Sequence, residues 1–300
     1  MTAGKEIVRA NFDETGFGFG PHREIIMDIL KYPRTRHLEG SRLQIGDIGD
    51  DKPISELQGV ELVVEEKLDG ANCGISFDDA GTLFLQSRGH FLMGGPRERH
   101  FDQFKTWANS HAHRFLEVLG HRYVMYGEWL YAKHTVFYDR LAHYFFEFDV
   151  FDRETETFLS TDARRDLLFG LPVVPVPVLY RGPVTSVAQI EALIKPSLYK
   201  SVDWRDALQH AAVQSGSRSD FVEKQTDAND LAEGVYLKSE RAGIVDDRFK
   251  FVRADFMQAI QASDGHWLDR PILPNGLADA TDIFAPILGT GGAYDDPSTL

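Results

Sequence analysis

From Val60 to Glu66 the chain is largely β-branched and apolar, and at Lys67-Leu68-Asp69-Gly70 that run breaks into a glycine turn. Asn72 to Phe77 then alternates, Asp78-Asp79-Ala80-Gly81 turns the chain, and Thr82 to Ser87 forms a further run. Period-two runs separated by turn residues specify a strand meander, and Lys67 stands at its first corner. An amine at the end of an apolar strand can carry a covalent intermediate. Its ordinary pKa is about 10.4, so nucleophilicity near neutral pH needs a shift of roughly three units, or about 4 kcal/mol, from burial and neighbouring cations. Asp69 acts the other way, favouring the ammonium. The tetrad alone decides little, because about one chain of this length in fifteen contains Lys-x-Asp-Gly by chance. A surface lysine before a glycine turn is the plainer reading of the four residues in isolation.

Around the meander the pattern is mixed. Phe104, Trp107, Ala108, Phe115 and Leu119 keep near-helical spacing, predicting one amphipathic helix over 103–119 that ends at Gly120. Tyr123 to Tyr131 and Ala142 to Phe151 read as aromatic-rich strands. Ser160-Thr161-Asp162 caps a short helix over 163–169, and Val173 to Leu179 reads as an edge strand because of its prolines. Ser186 and Gln189 form a capping-box pattern for a helix that stops before Pro196. A helix over 203–214, strands over 233–239 and 249–253, and a helix over 254–262 complete the series. Residues 1–22 read as an N-terminal extension, 23–262 as the main domain and 263–300 as a short C-terminal appendage and tail.

With 300 residues, 43% of them hydrophobic, the chain can bury a full core without staples. Its 46 acidic and 32 basic residues leave a net charge of −14, which argues against coating nucleic acid by bulk attraction. A polyanion has to meet a local basic surface, and Lys31-Tyr32-Pro33-Arg34-Thr35-Arg36-His37 with Arg42, or Arg97-Glu98-Arg99-His100 with Lys105, are the two candidates, each equally readable as solvated charge. The single cysteine, Cys73, excludes an internal disulfide and a thiolate cage and fits a reducing compartment. No apolar run reaches bilayer-spanning length and the first residues do not form a leader, so no membrane association and a cytoplasmic location are expected.

Five segments follow the Lys67 corner in order: Ser87-Arg88-Gly89, Tyr126-Gly127-Glu128, Phe146-Glu147-Phe148-Asp149, Glu233-Gly234-Val235 and Arg248-Phe249-Lys250. In this ordered set, from about Glu61 to Arg253, the chain resembles the covalent nucleotidyltransferase superfamily of ATP-dependent polynucleotide ligases and capping enzymes. Within it, the ATP-dependent RNA ligases of the nick-sealing phage type are the most similar. The resemblance implies an α+β fold: an antiparallel-rich nucleotidyltransferase core with flanking helices. The 47 residues after Arg253 (254–300) are too few for the OB barrel of the resembling DNA ligases and capping enzymes, so a short appendage is expected instead.

The resemblance also implies roles. Lys67 matches the lysine that attacks the α-phosphate of ATP, and Glu66 the residue that reads the adenine amino group. Arg88 matches the arginine at the ribose and 5′-phosphate, Glu128 the carboxylate near the ribose hydroxyls, and Glu233 the one serving the metal, expected to be Mg²⁺ or Mn²⁺. Phe148 resembles the ring that stacks on adenine, although alternation puts Phe146 on the same face and leaves the choice open. Lys250 matches an α-phosphate contact. Arg248 substitutes for the first lysine of the family's pair; it cannot donate a proton there, so if that position serves as an acid the step is either slow or delegated to Lys238. Tyr131-Ala132-Lys133-His134 is a further polar run, readable as substrate-facing or as ordinary loop chemistry. The implied partners are RNA with 5′-phosphate and 3′-hydroxyl ends and an end-processing kinase or phosphatase, in RNA repair. A DNA or dual-specificity ligase, a capping guanylyltransferase and a non-catalytic nucleotide or RNA-binding module are the alternatives.

Overall fold

The computed structural model describes residues 5–10, 25–43, 51–256 and 272–285. The first half of the chain contributes β1 (Lys5–Ala10), β2 (Ile25–Leu30), β3 (Arg36–His37), β4 (Glu61–Lys67), β5 (Ala71–Phe77), β6 (Leu83–Ser87), α1 (Asp102–Ser110), α2 (Ala112–Leu119) and β7 (Tyr123–Trp129). The second half adds β8 (Phe145–Asp152), β9 (Thr157–Phe158), α3 (Thr161–Leu168), β10 (Val174–Pro175), β11 (Val178–Pro183), α4 (Val187–Leu193), α5 (Trp204–Gln214), α6 (Ser219–Lys224), β12 (Gly234–Arg241) and β13 (Ile244–Val252). One sheet runs β10-β8-β7-β5-β6, with β9 on β8, a second runs β11-β4-β12-β13-β3, and β1 and β2 pair as a separate two-stranded sheet. Most pairings are antiparallel; β10 on β8 and β13 on β3 are parallel. The strand order forms no closed barrel among the described residues.

Each of the two larger sheets buries one face in its own apolar layer. Phe104 and Trp107 of α1 and Phe115 and Leu119 of α2 pack on Ile75, Met125, Trp129 and Phe145 of the first sheet. In the second sheet Leu62 and Val64, Val235 and Leu237, and Phe249 and Phe251 all turn towards Ile190 of α4, as period-two alternation requires. The opposite faces of β4, β12 and β13 therefore carry Glu65 and Lys67, Tyr236 and Lys238, and Arg248 and Lys250.

Several boundaries differ from the sequence reading for local reasons. The helix expected over 103–119 breaks at His111. In the turns before the break, Thr106 Oγ1, Asn109 Nδ2 and Ser110 Oγ donate to the carbonyls of Asp102, Lys105 and Trp107, competing with the backbone ladder. The strand expected over 173–179 splits at Val176-Pro177, where the chain passes from one sheet to the other. β13 begins at Ile244 rather than Phe249, because Ala242 and Gly243, both with positive φ, make a tight hairpin from β12. Asp246 and Asp247 disguised that half of the strand. β1 places paired backbone inside the stretch read as an extension. The capping residues behave as expected: Ser160 and Ser186 accept from Ala163 N and Gln189 N. Residues 254–256 form a turn, and the remainder of the helix expected over 254–262 lies outside the described residues.

Residues 272–285 form an irregular segment tied to the core. Asn275 donates through Nδ2 to Leu130 O (2.7 Å) and accepts from Tyr138 N (3.0 Å), and isolated bridges link Pro274 to Ala132 and Leu277 to Leu141.

Candidate active site

β4 ends at Lys67 directly opposite Gly234, so the residue before Gly234, Glu233, is brought beside the lysine. Only glycine fits there: a Cβ on Gly234 would stand 2.0 Å from Phe251 O. Lys67 Nζ donates to Glu233 Oε2 at 2.6 Å, with the lysine side chain 13% and the glutamate 2% exposed. Burial, the largest single influence, would lower the lysine pKa, but Glu233, Tyr236, Glu128 and Asp69 together outweigh it, Glu233 most strongly. The resting side chain is an ammonium held above its ordinary range.

Asp69 is less an electrostatic opponent of Lys67 than a clamp. Its Oδ2 accepts from Thr135 N and Val136 N, both at 2.7 Å, and its own N–H donates to Tyr138 Oη at 2.8 Å. The tetrad's aspartate thus fixes the 132–138 loop against the corner that carries the amine. Gly70 is required by close approach: a Cβ would lie 2.7 Å from Trp129 O and 2.5 Å from Leu130 Cδ2. Its N–H donates to Glu128 Oε1 at 3.0 Å. Burial pushes Glu128 up to about 7, against the pull of Lys67 and Arg88.

These groups open into one cavity of about 1360 Å³. Of the residues singled out in the sequence, Lys67, Arg88, Glu128, Glu233 and Lys250 line it, as do Lys133 and His134 from the polar run after β7. Tyr236, which the sequence reading passed over, shares the lining and lies under the amine, its ring centroid 5.5 Å from Lys67 Nζ. No group of three or more potential ligands gathers as a metal cage among the described residues. The donor set, two carboxylates in a cavity that also carries phosphate-binding cations, fits a hard divalent ion that completes its shell with water and phosphate oxygens.

Glu66, Phe148, Lys238 and Arg248 do not line this cavity. The pleat turns Glu66 to the face opposite Lys67, where it accepts from Ser197 Oγ (2.5 Å) and burial raises it to about 7 despite that bond. Phe148 meets Tyr32 edge-on at 5.0 Å, while Phe146 is fully buried and meets Tyr199 at 4.8 Å. Lys238 and Arg248, cross-strand neighbours, enter a buried ionic cluster between the sheets. Lys238 Nζ lies 2.8 Å from Glu65 Oε2 and 3.1 Å from Asp149 Oδ1, and Arg248 Nη1 is 3.6 Å from Asp149 Oδ2 with its guanidinium 3.7 Å from the Phe158 ring centroid. Arg164 of α3 bridges Glu65 and Glu147, and Tyr32 Oη donates to Asp149 at 2.5 Å. Burial would raise the Asp149 pKa, but Lys238 and Arg248 hold it below the usual carboxylate range. Arg248 and Lys250 share a strand face as alternation implied, yet only Lys250 reaches the cavity. Of the two basic surfaces considered, Lys105 pairs with Glu98 and Asp102, and Tyr32 from the other is a buried part of the ionic cluster.

No curated protein matches the chain. Among solved structures it is similar to a Naegleria gruberi RNA ligase variant with ATP and manganese (18% identity, TM-score 0.46, covering 76% of this chain and 62% of that one). It is likewise similar to an archaeal ATP-dependent RNA ligase (18% identity, TM-score 0.45, 76% and 50%). The chain therefore spans less than two thirds of the length of either. Residues 60–252, from the start of the meander to the end of β13, match the model of the RNA ligase family. That span holds the Lys67 corner and both of its carboxylates, and the chain belongs to the RNA ligase family.

Proposed function

We propose that the protein is an ATP-dependent RNA ligase that seals 5′-phosphate and 3′-hydroxyl ends through an adenylate on Lys67. The observation that carries this reading is the Lys67 amine, paired with Glu233 and sharing one cavity with Glu128, Arg88 and Lys250. The resting ammonium must lose its proton before Nζ can attack the α-phosphorus of ATP and release pyrophosphate. Arg88 and Lys250 line the same cavity and would neutralise phosphate oxygens, a task suited to guanidinium and ammonium groups. Glu233 orients the amine, and Asp69 anchors the corner through the 132–138 loop. Glu128 and Glu233 would hold Mg²⁺ or Mn²⁺, which supplies positive charge against the phosphates.

A 5′-phosphate oxygen then attacks the adenylate phosphorus, breaking the P–N bond and returning the amine. The 3′-hydroxyl finally attacks the 5′-phosphorus of the adenylylated strand, and AMP departs. In this reading residues 23–262 are the catalytic domain, flanked by 1–22 and 263–300, and during RNA repair an end-processing kinase supplies the 5′-phosphate ends or a phosphatase the 3′-hydroxyl ends.

The test is incubation with α-labelled ATP and Mg²⁺ or Mn²⁺. An acid-labile, base-stable protein label should form and be absent in Lys67→Ala. An unlabelled parent protein would leave only a nucleotide- or RNA-binding module. Sealing of all-DNA nicks but not of RNA would transfer the assignment to a DNA ligase.

A further inference from the structure

The cavity continues past the Lys67 corner to a wall made by α6, an element that no sequence pattern had announced. Arg218, Phe221, Val222 and Gln225 line it there. Gln225 is 9% exposed, and its Nε2 has no hydrogen-bond partner among the described residues. A buried amide donor without an acceptor is costly, and in a cavity wall it marks where an acceptor from a ligand belongs. The position is fixed rather than loose: Gln225 N donates to the carbonyls of Phe221 and Val222, and its own carbonyl accepts from Lys133 Nζ at 2.9 Å. Phe221 is 50% exposed, a large ring left against solvent at the cavity edge. Arg218 is paired with Asp220 at 2.6 Å in an exposed ion pair of the kind that contributes little and exchanges readily for another anion.

An aromatic face, a guanidinium and a buried amide donor along one wall match the three parts of a nucleotide: base, phosphate, and sugar or base oxygen. The net charge of −14 makes such a local surface necessary for binding a polyanion. We propose that the α6 wall binds a nucleotide of the RNA strand, with its base on Phe221, its phosphate on Arg218 and an oxygen accepting from Gln225 Nε2. This deepens the ligase reading and rests on it for the identity of the strand.

The test is the affinity of the full-length chain for a fluorescently labelled, 5′-phosphorylated RNA oligonucleotide, read by anisotropy without ATP. Phe221→Ala should weaken binding about tenfold or more, as loss of a stacked base does. Gln225→Met should also weaken it without lowering the melting temperature, since it removes a donor that is unpaired in the free protein. Phe169→Ala, a 69% exposed aromatic at the end of α3, is the control. Unchanged RNA affinity in both wall variants overturns the proposal, as does a loss of ATP-derived label in step with a loss of RNA affinity, which would assign the wall to ATP. An unlabelled parent protein whose RNA affinity still falls in Phe221→Ala would sink the ligase reading and leave the RNA wall standing.

Discussion

Replacing Glu233 with glutamine keeps the shape of the pair at Lys67 and removes its charge. At 2.6 Å the attraction is worth roughly 6 kcal/mol at an effective dielectric of about 20, and it is the largest of the attractions that together override the burial of the amine. Without it the burial cost is opposed only by Tyr236 and the more weakly acting Glu128 and Asp69, so the lysine pKa must fall. The consequence is counterintuitive: a variant expected to lose adenylation, because the carboxylate is also the proposed metal ligand, should have the more reactive amine. Competitive acetylation with trace anhydride, quantified on the Lys67 peptide by mass spectrometry between pH 7 and pH 10, reads this directly. A gain of about tenfold in labelling at pH 8 corresponds to roughly 1.4 kcal/mol, well within the lost attraction. A Glu233→Gln protein that is folded by circular dichroism yet labels Lys67 no faster than the parent would refute the claim that Glu233 sets the charge of this amine.

Asp69→Ala leaves Thr135 N and Val136 N without their acceptor, so stability should fall by about 2–5 kcal/mol in urea titration. Hydrogen exchange should quicken across residues 132–138; unchanged protection there would refute the clamp. Glu66 titrates near 7 in the folded chain against 4.5 in the reference state, so between those values the folded state holds a proton that the unfolded state has released. Its contribution to stability therefore declines as pH rises through that window, by roughly 1.4 kcal/mol per unit. In Glu66→Gln the urea midpoints at pH 5 and pH 7 should lie closer together than in the parent, and equal separations would count against the shift.

The parts of the site that could be read in the sequence are those where neighbours in the chain decide the geometry. The meander around Lys67 was visible because alternation and turn residues are local properties, and Glu233-Gly234 was visible as an ordered companion. Period-two alternation also held the information that Glu66 and Lys67 face opposite ways; adjacency in a family motif had obscured it. The clamp by Asp69 joins a turn to a loop 66 residues later, and no spacing rule links them. Likewise α6 is too short for a periodic signal, and the ionic cluster draws Tyr32, Glu65, Asp149, Arg164 and Arg248 from five separate stretches of chain. His111 shows the converse case: helical spacing continued through a position where side chains had taken the carbonyls.

The cluster of Glu65, Glu147, Asp149, Arg164, Lys238 and Arg248 sits where two sheets meet, at a place where most proteins put oil. Apolar faces can slide past each other at little cost, because one methyl contact resembles the next. Three cations and three carboxylates cannot: a slip of one residue along β12, about 3.3 Å, would carry Lys238 away from both of its carboxylates at once. The two sheets are thereby keyed like a tongue in a slot, so motion that opens the cavity has to come from the loops and helices around its rim, with the strands that hold Lys67 and Glu233 staying in step.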